Sequence, residues 1–108
     1  MSNFSAVELI MAKRDGGELS TEAIDWLIAN YTTGAVADEQ MSSMAMAILL
    51  NGMNRREIRD MTLAMIASGE RLDFSDLSQP TADKHSTGGV GDKITLTLAP
   101  LVACFGVA

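Results

Sequence analysis

Hydrophobic positions recur with the period of a helix through residues 1–70, and four segments stand out. The first runs from about Ala6 to Arg14. Ser5 is a candidate N-cap, Val7, Ile10 and Met11 share one face, and Asp15-Gly16-Gly17 ends it. The second runs from about Thr21 to Tyr31 behind Ser20, with Glu22 in the first turn and Ile24, Leu27, Ile28 and Tyr31 at helical spacing. Trp26 falls nearly opposite Ile24, which suits either a partner contact or a partly exposed aromatic. The third runs from about Glu39 to Leu50, with Asp38 as expected N-cap. Met41, Met44, Met46, Ile48, Leu49 and Leu50 leave it no clean polar side, the pattern of a helix buried between neighbours in a core or an oligomer interface. The fourth runs from about Arg55 to Ala67. Asn54 and Glu57 stand where a capping box belongs, Ile58, Met61 and Met65 form one face, and Leu63 and Ile66 widen it. Arg55, Arg56 and Arg59 cluster at its start, a set that could seat an anion but is usually solvated or paired with Glu57 and Asp60.

The pattern then changes. Residues 71–80 are polar and rich in turn formers, and read as a connector or hinge. Thr81 to His85 reads as a short strand, Ser86 to Gly91 as a glycine-rich loop, and Ile94 to Val107 as an apolar helix. The expected fold is therefore mostly α: a helical-domain segment over residues 1–70, then over 81–108 the first strand, loop and helix of an α/β domain. One strand does not make a sheet, because parallel strands need neighbours and crossovers. The 81–108 segment reads as the start of a domain rather than a whole one.

Composition narrows the classes. The chain has 108 residues, enough for one small domain, and a net charge of −6, which argues against nucleic-acid binding through a basic face. The single cysteine, Cys104, cannot form an intrachain disulfide; its apolar setting predicts a small buried residue. Early charges at Glu8, Lys13, Arg14 and Asp15 interrupt any secretory pattern, and no apolar run reaches membrane-spanning length. A cytoplasmic address with no membrane partner is the default expectation.

The candidate chemistry is concentrated in Asp83-Lys84-His85-Ser86-Thr87-Gly88-Gly89-Val90-Gly91-Asp92-Lys93, which holds the only histidine. Closely spaced glycines let backbone N–H groups approach a ligand. A helix N-terminus favours an anion through its unpaired N–H groups and dipole. Lys84 adds a mobile positive charge, and Ser86, Thr87 and Thr95 add hydroxyls. Asp83 and Asp92 are better suited to orienting donors than to reacting. The combination suits an oxyanion such as phosphate; a plain turn between strand and helix would also use such residues. The P-loop pattern is excluded because Ile94 follows Lys93, and the dinucleotide fingerprint is absent.

The string Lys-His-Ser-Thr-Gly-Gly-Val-Gly-Asp over residues 84–92 closely resembles the signature of the thymidine and pyrimidine-nucleoside phosphorylases. The resemblance extends to Ala99-Pro100-Leu101-Val102-Ala103-Cys104, and upstream to Ala12-Lys13-Arg14-Asp15-Gly16, Gln40-Met41-Ser42, Ala45-Met46-Ala47-Ile48 and Ser68-Gly69-Glu70. It implies a transferase that splits thymidine with inorganic phosphate into thymine and 2-deoxyribose 1-phosphate. It implies an N-terminal helical domain, a larger α/β domain and a homodimer. Phosphate would lie on Lys84, Ser86 and Thr95 and against the backbone of Gly88 and Gly89. His85 would serve the leaving base as acid or hydrogen-bond donor, since an imidazole ordinarily titrates near neutral pH. No organic cofactor is implied. Some relatives hold a potassium ion through backbone carbonyls at positions matching Gly91 and Lys93, although a hydroxyl residue can stand where this chain has Lys93. The family's base-recognition arginine, serine and lysine have no counterpart among these residues, so the chain alone is expected to be inactive. Two alternatives compete. One is an enzyme like anthranilate phosphoribosyltransferase, whose Gly-Thr-Gly-Gly-Asp-Gly loop fits Lys84-His85-Ser86 poorly. The other is a non-catalytic helical dimerisation module.

Overall fold

The computed structural model describes residues 4–86, 88 and 91–108. It divides into two compact units, Met1–Arg71 and Leu72–Ala108. The first holds α1 (Ala6–Arg14), α2 (Thr21–Thr32), α3 (Asp38–Asn51) and α4 (Arg55–Ser68), with α1 packed on α3 and α2 on α4. Three expected caps are present. Ser5 Oγ accepts from Glu8 N at 3.3 Å, Ser20 Oγ from Ala23 N at 3.2 Å and Asn54 Oδ1 from Glu57 N at 2.9 Å. The third helix departs from expectation. Its N-cap is Ala37, not Asp38, and Gln40 Oε1 accepts from Ala37 N at 3.1 Å in place of a capping side chain.

Leu9, Leu19, Ile24, Leu27, Ile28, Val36 and Met44 form the core. Each such side chain stabilises the fold by roughly 1.5–3 kcal/mol through burial. Trp26 is partly buried: it packs against the core, its ring 6.2 Å from that of Phe4.

Three inward faces differ from those the hydrophobic pattern predicts. On α1 the buried residues are Ala6, Leu9 and Lys13, while Val7 and Met11 face out. On α3 only Met44 and Ala47 are buried, and Leu49 and Leu50 are each 75% exposed. On α4 the buried residues are Glu57, Asp60 and Ala64, with Ile58, Leu63, Met65 and Ile66 exposed. The reason lies in polar bonds that periodicity does not register. Glu57, 1% exposed, accepts from Lys13 Nζ at 2.9 and 3.1 Å, from Leu19 N at 2.9 Å and from Asn54 N at 2.9 Å. Lys13 Nζ also donates to Gly17 O at 3.2 Å. Asp60 accepts from Thr21 Oγ1, Arg56 and Arg59, so both arginines are paired while the Arg59 side chain stays exposed to solvent. With its partners in place, this charged stripe can face inward and leave the apolar side of α4 outside.

The second unit contains α5 (Lys93–Ala103), which is shorter than expected and carries Pro100 inside it. Thr81 to His85 forms no strand among the described residues. Among the described residues its backbone bonds run to the last residue: Ala108 N donates to Pro80 O and Ala82 N to Ala108 O, both at 3.0 Å. That is the pattern of a single parallel pair, Thr81 with Ala108, and one pair is too little to make a ladder. No described residue of this unit is buried. Cys104, expected inside, is exposed at the C-cap of α5.

Candidate functional site

The loop brings together residues far apart in sequence. Gly88 and Gly91 adopt φ of 71° and 98°, which side-chain-bearing residues rarely do, and Gly91 N donates to Gly88 O at 3.3 Å. This turn sets the start of α5 against the end of the extended segment. Lys84 Nζ lies 2.6 Å from Thr95 Oγ1 and 2.9 Å from Asp92 Oδ1. The Thr95 hydroxyl in turn donates to the same Asp92 oxygen at 2.5 Å. Ser86 Oγ accepts from Gly88 N at 3.3 Å, which fixes the entry to the loop.

Asp92 carries the sharpest electrostatic feature. The Thr95 hydroxyl, then the Lys84 ammonium and Ser86, hold its carboxyl down at about 2. Because the folded value lies below the ordinary one, this contribution to stability is complete above the ordinary carboxylate range. It is lost progressively as pH falls from that range through about 2. At neutral pH the Lys84–Asp92 pair is therefore closed and carries no net charge. Any attraction for an anion comes from the N–H groups and dipole at the start of α5, and from the Lys84 N–H donors that Asp92 does not take up.

The other expected site residues are placed as follows. His85 is exposed beside Lys84, while Ser86 and Thr95 are half-buried. Gly88 lies at the bend; Gly89 and Thr87 fall outside the described residues. Behind Lys84 and Thr95 a cleft of about 400 Å³ is lined by Asp83, Leu98 and Val102 among others. Gly91 and Lys93 flank Asp92, and the Lys93 side chain is exposed. Two carbonyls are too few to enclose a potassium ion. Among the described residues no group of three or more histidines, cysteines and carboxylates gathers to hold a metal. No described helix is long and apolar enough to cross a membrane.

Sequence reasoning identified Lys84, Ser86 and Thr95 as donors, and the structure brings Lys84 and Thr95 into contact. It gave Asp92 only a general orienting part; that both groups converge on one of its oxygens is seen only in three dimensions.

Comparison with known proteins sets these features in a family. Residues 7–69 match the glycosyl transferase family, helical bundle domain. The chain is 62% identical over 105 residues to a thymidine phosphorylase of Mycobacterium tuberculosis (strain ATCC 25618 / H37Rv), covering 97% of this chain and 25% of that protein. It is 52% identical over 101 residues to a pyrimidine-nucleoside phosphorylase of Geobacillus stearothermophilus, and 50% identical over 101 residues to one of Bacillus subtilis (strain 168). Each of these two alignments covers 94% of this chain and 23% of the relative. The chain thus spans about a quarter of the length of the curated relatives it matches. The similarity runs through both units, past the helical bundle and over the glycine loop, and with the bundle itself matched the chain belongs to the glycosyl transferase family.

Proposed function

We propose that this chain is the N-terminal part of a cytoplasmic pyrimidine-nucleoside phosphorylase, and that the loop before α5 holds its phosphate. One observation carries the reading: the lysine and threonine singled out as phosphate donors stand 2.6 Å apart at a helix N-terminus although they are eleven positions apart in sequence. The identities to phosphorylases across this loop support it.

In the reaction so proposed, a phosphate oxygen attacks the sugar carbon that bears the base. The new carbon–oxygen bond forms as the carbon–nitrogen bond breaks, and the base leaves with the electron pair. Lys84 supplies an ammonium, Ser86 and Thr95 supply hydroxyls, and the backbone at Gly88 and Gly89 shapes the pocket; such donors suit a tetrahedral oxyanion. His85 donates a hydrogen bond or proton to the departing base. Gly91 and Lys93 would lend two carbonyls to a potassium ion whose other ligands come from elsewhere, and no step is routed through it. No organic cofactor is required.

The helical unit is proposed to serve the homodimer. The outer faces of α3 and α4 support this, with Met46, Leu49, Leu50, Leu63 and Met65 each more than half exposed. Residues 71–80 are proposed as the connection between the helical domain and the α/β domain of the full-length enzyme.

The test compares substrates with a full-length protein containing this segment. Thymidine with phosphate should yield free thymine and a sugar phosphate, anthranilate with phosphoribosyl pyrophosphate should yield nothing, and the protein should sediment as a dimer. Residues 1–108 alone should release no base. Turnover of anthranilate with silence toward nucleosides would overturn the reading, as would base release by the isolated chain for its dependence on residues outside it.

A further inference from the structure

Asp92 occupies the N-cap position of α5, where an aspartate usually accepts a hydrogen bond from the first-turn backbone N–H groups. Here its side chain makes no such bond. The carboxylate turns away from the helix and gives one oxygen to both Lys84 Nζ, at 2.9 Å, and the Thr95 hydroxyl, at 2.5 Å. A cap of this kind ordinarily stabilises a helix. A carboxylate that leaves the cap for two side chains is serving those side chains.

We propose that Asp92 is a positioning residue for the anion site: its carboxylate holds the Lys84 ammonium and the Thr95 hydroxyl in one place, so that an incoming phosphate meets a preassembled pair of donors. This rests on the reading of the loop as a phosphate site and adds a residue to it. A lysine has a long, freely rotating stem, and fixing its head before binding removes an entropic cost from the association. Without the carboxylate, Lys84 would sample solvent and Thr95 would be free to turn to other acceptors. Bond by bond, Asp92 accepts from both donors, and Lys84 also donates to the Thr95 oxygen. When phosphate arrives, Lys84 has further N–H donors to offer it while the bond to Asp92 remains. The carboxylate touches no reacting atom. It acts through its neighbours, and because it lies at the helix start it leaves the first-turn N–H groups to the anion.

The experiment uses the full-length enzyme and four variants: Asp92→Ala, Asp92→Asn, Lys84→Ala, and Lys84→Ala with Asp92→Ala. Asp92→Ala is expected to raise the KM for phosphate about tenfold, with the KM for thymidine unchanged. Asp92→Asn keeps one acceptor oxygen and is expected to recover much of that loss. In the Lys84→Ala background, Asp92→Ala is expected to add less than about threefold, because most of its effect passes through the lysine. A phosphate KM that stays the same or falls in Asp92→Ala overturns the proposal, as does an equal loss for both substrates, the mark of a purely structural part. Should Asp92→Ala fail to fold, the Asp92→Asn values decide: phosphate KM raised with thymidine KM constant supports the proposal, and no change overturns it. If Lys84→Ala itself leaves phosphate kinetics unchanged, the phosphate-site reading fails. If Lys84→Ala is impaired and Asp92→Ala is not, only the positioning inference fails.

Discussion

Glu57→Gln is expected to destabilise the helical unit by about 3–5 kcal/mol, the usual loss when one partner of a buried ion pair is removed. The carboxylate is enclosed and every contact made to it is a donor: two from Lys13, one each from Leu19 N and Asn54 N. An amide of the same shape turns an NH₂ toward some of those donors and leaves Lys13 charged and uncompensated. A unit of this size holds only about 0.05–0.15 kcal/mol per residue in total, so the variant should melt more than about 10 °C lower and be substantially unfolded when warm. Lys13→Met should be similarly costly. The two together should cost clearly less than the sum, since no orphaned charge remains. Thermal melts followed by circular dichroism check this, and an unshifted midpoint for Glu57→Gln would show that the pair does not hold α1 to α4. The pH dependence follows. Burial alone would push the Glu57 carboxyl up, but the Leu19 and Asn54 N–H groups and the Lys13 ammonium outweigh it and hold it below the ordinary carboxylate range. The stabilisation is therefore complete above the unfolded carboxyl's range, around pH 4 to 5, and is lost as pH falls through the lowered value.

Lys84→Ala in the full-length enzyme should lower kcat/KM for phosphate about ten- to a hundredfold, the scale of one charged hydrogen bond. Stability should scarcely change. The Lys84–Asp92 pair is exposed, its side chains 36% and 58% accessible, and such pairs contribute about 0–1 kcal/mol. Steady-state kinetics with phosphate varied at saturating thymidine, alongside a thermal melt, separates the two effects. Normal phosphate kinetics would remove Lys84 from the site. A large fall in melting temperature would make it a structural residue instead.

Helix existence and most helix ends were legible in the sequence because caps are local chemistry. Ser5, Ser20 and Asn54 each reach an N–H three residues ahead. Which face of each helix turns inward was less legible. Hydrophobic periodicity counts Val7, Met11, Ile58 and Leu63 as core-facing, yet the structure turns them out, because Lys13 pairs with Glu57 and Thr21 donates to Asp60 between helices. Bonds between residues some forty positions apart leave no periodic trace. Cys104 shows the same limit: its apolar neighbours suggested burial, but none of the described residues of 72–108 is buried. The anticipated strand at Thr81–His85 is not seen among the described residues, where its backbone bonds go to Ala108. The site residues were legible as types and spacing. The convergence of Lys84 and Thr95 on Asp92 required the turn at Gly88 and Gly91 to be seen.

The most direct measurement follows backbone amide signals of the full-length enzyme while inorganic phosphate is added. Signals of Ser86, Gly88, Gly91 and the first turn of α5 should move together and saturate, and Lys84→Ala should weaken that response. Phosphate that saturates the enzyme while these signals stay still would contradict the assignment of the loop.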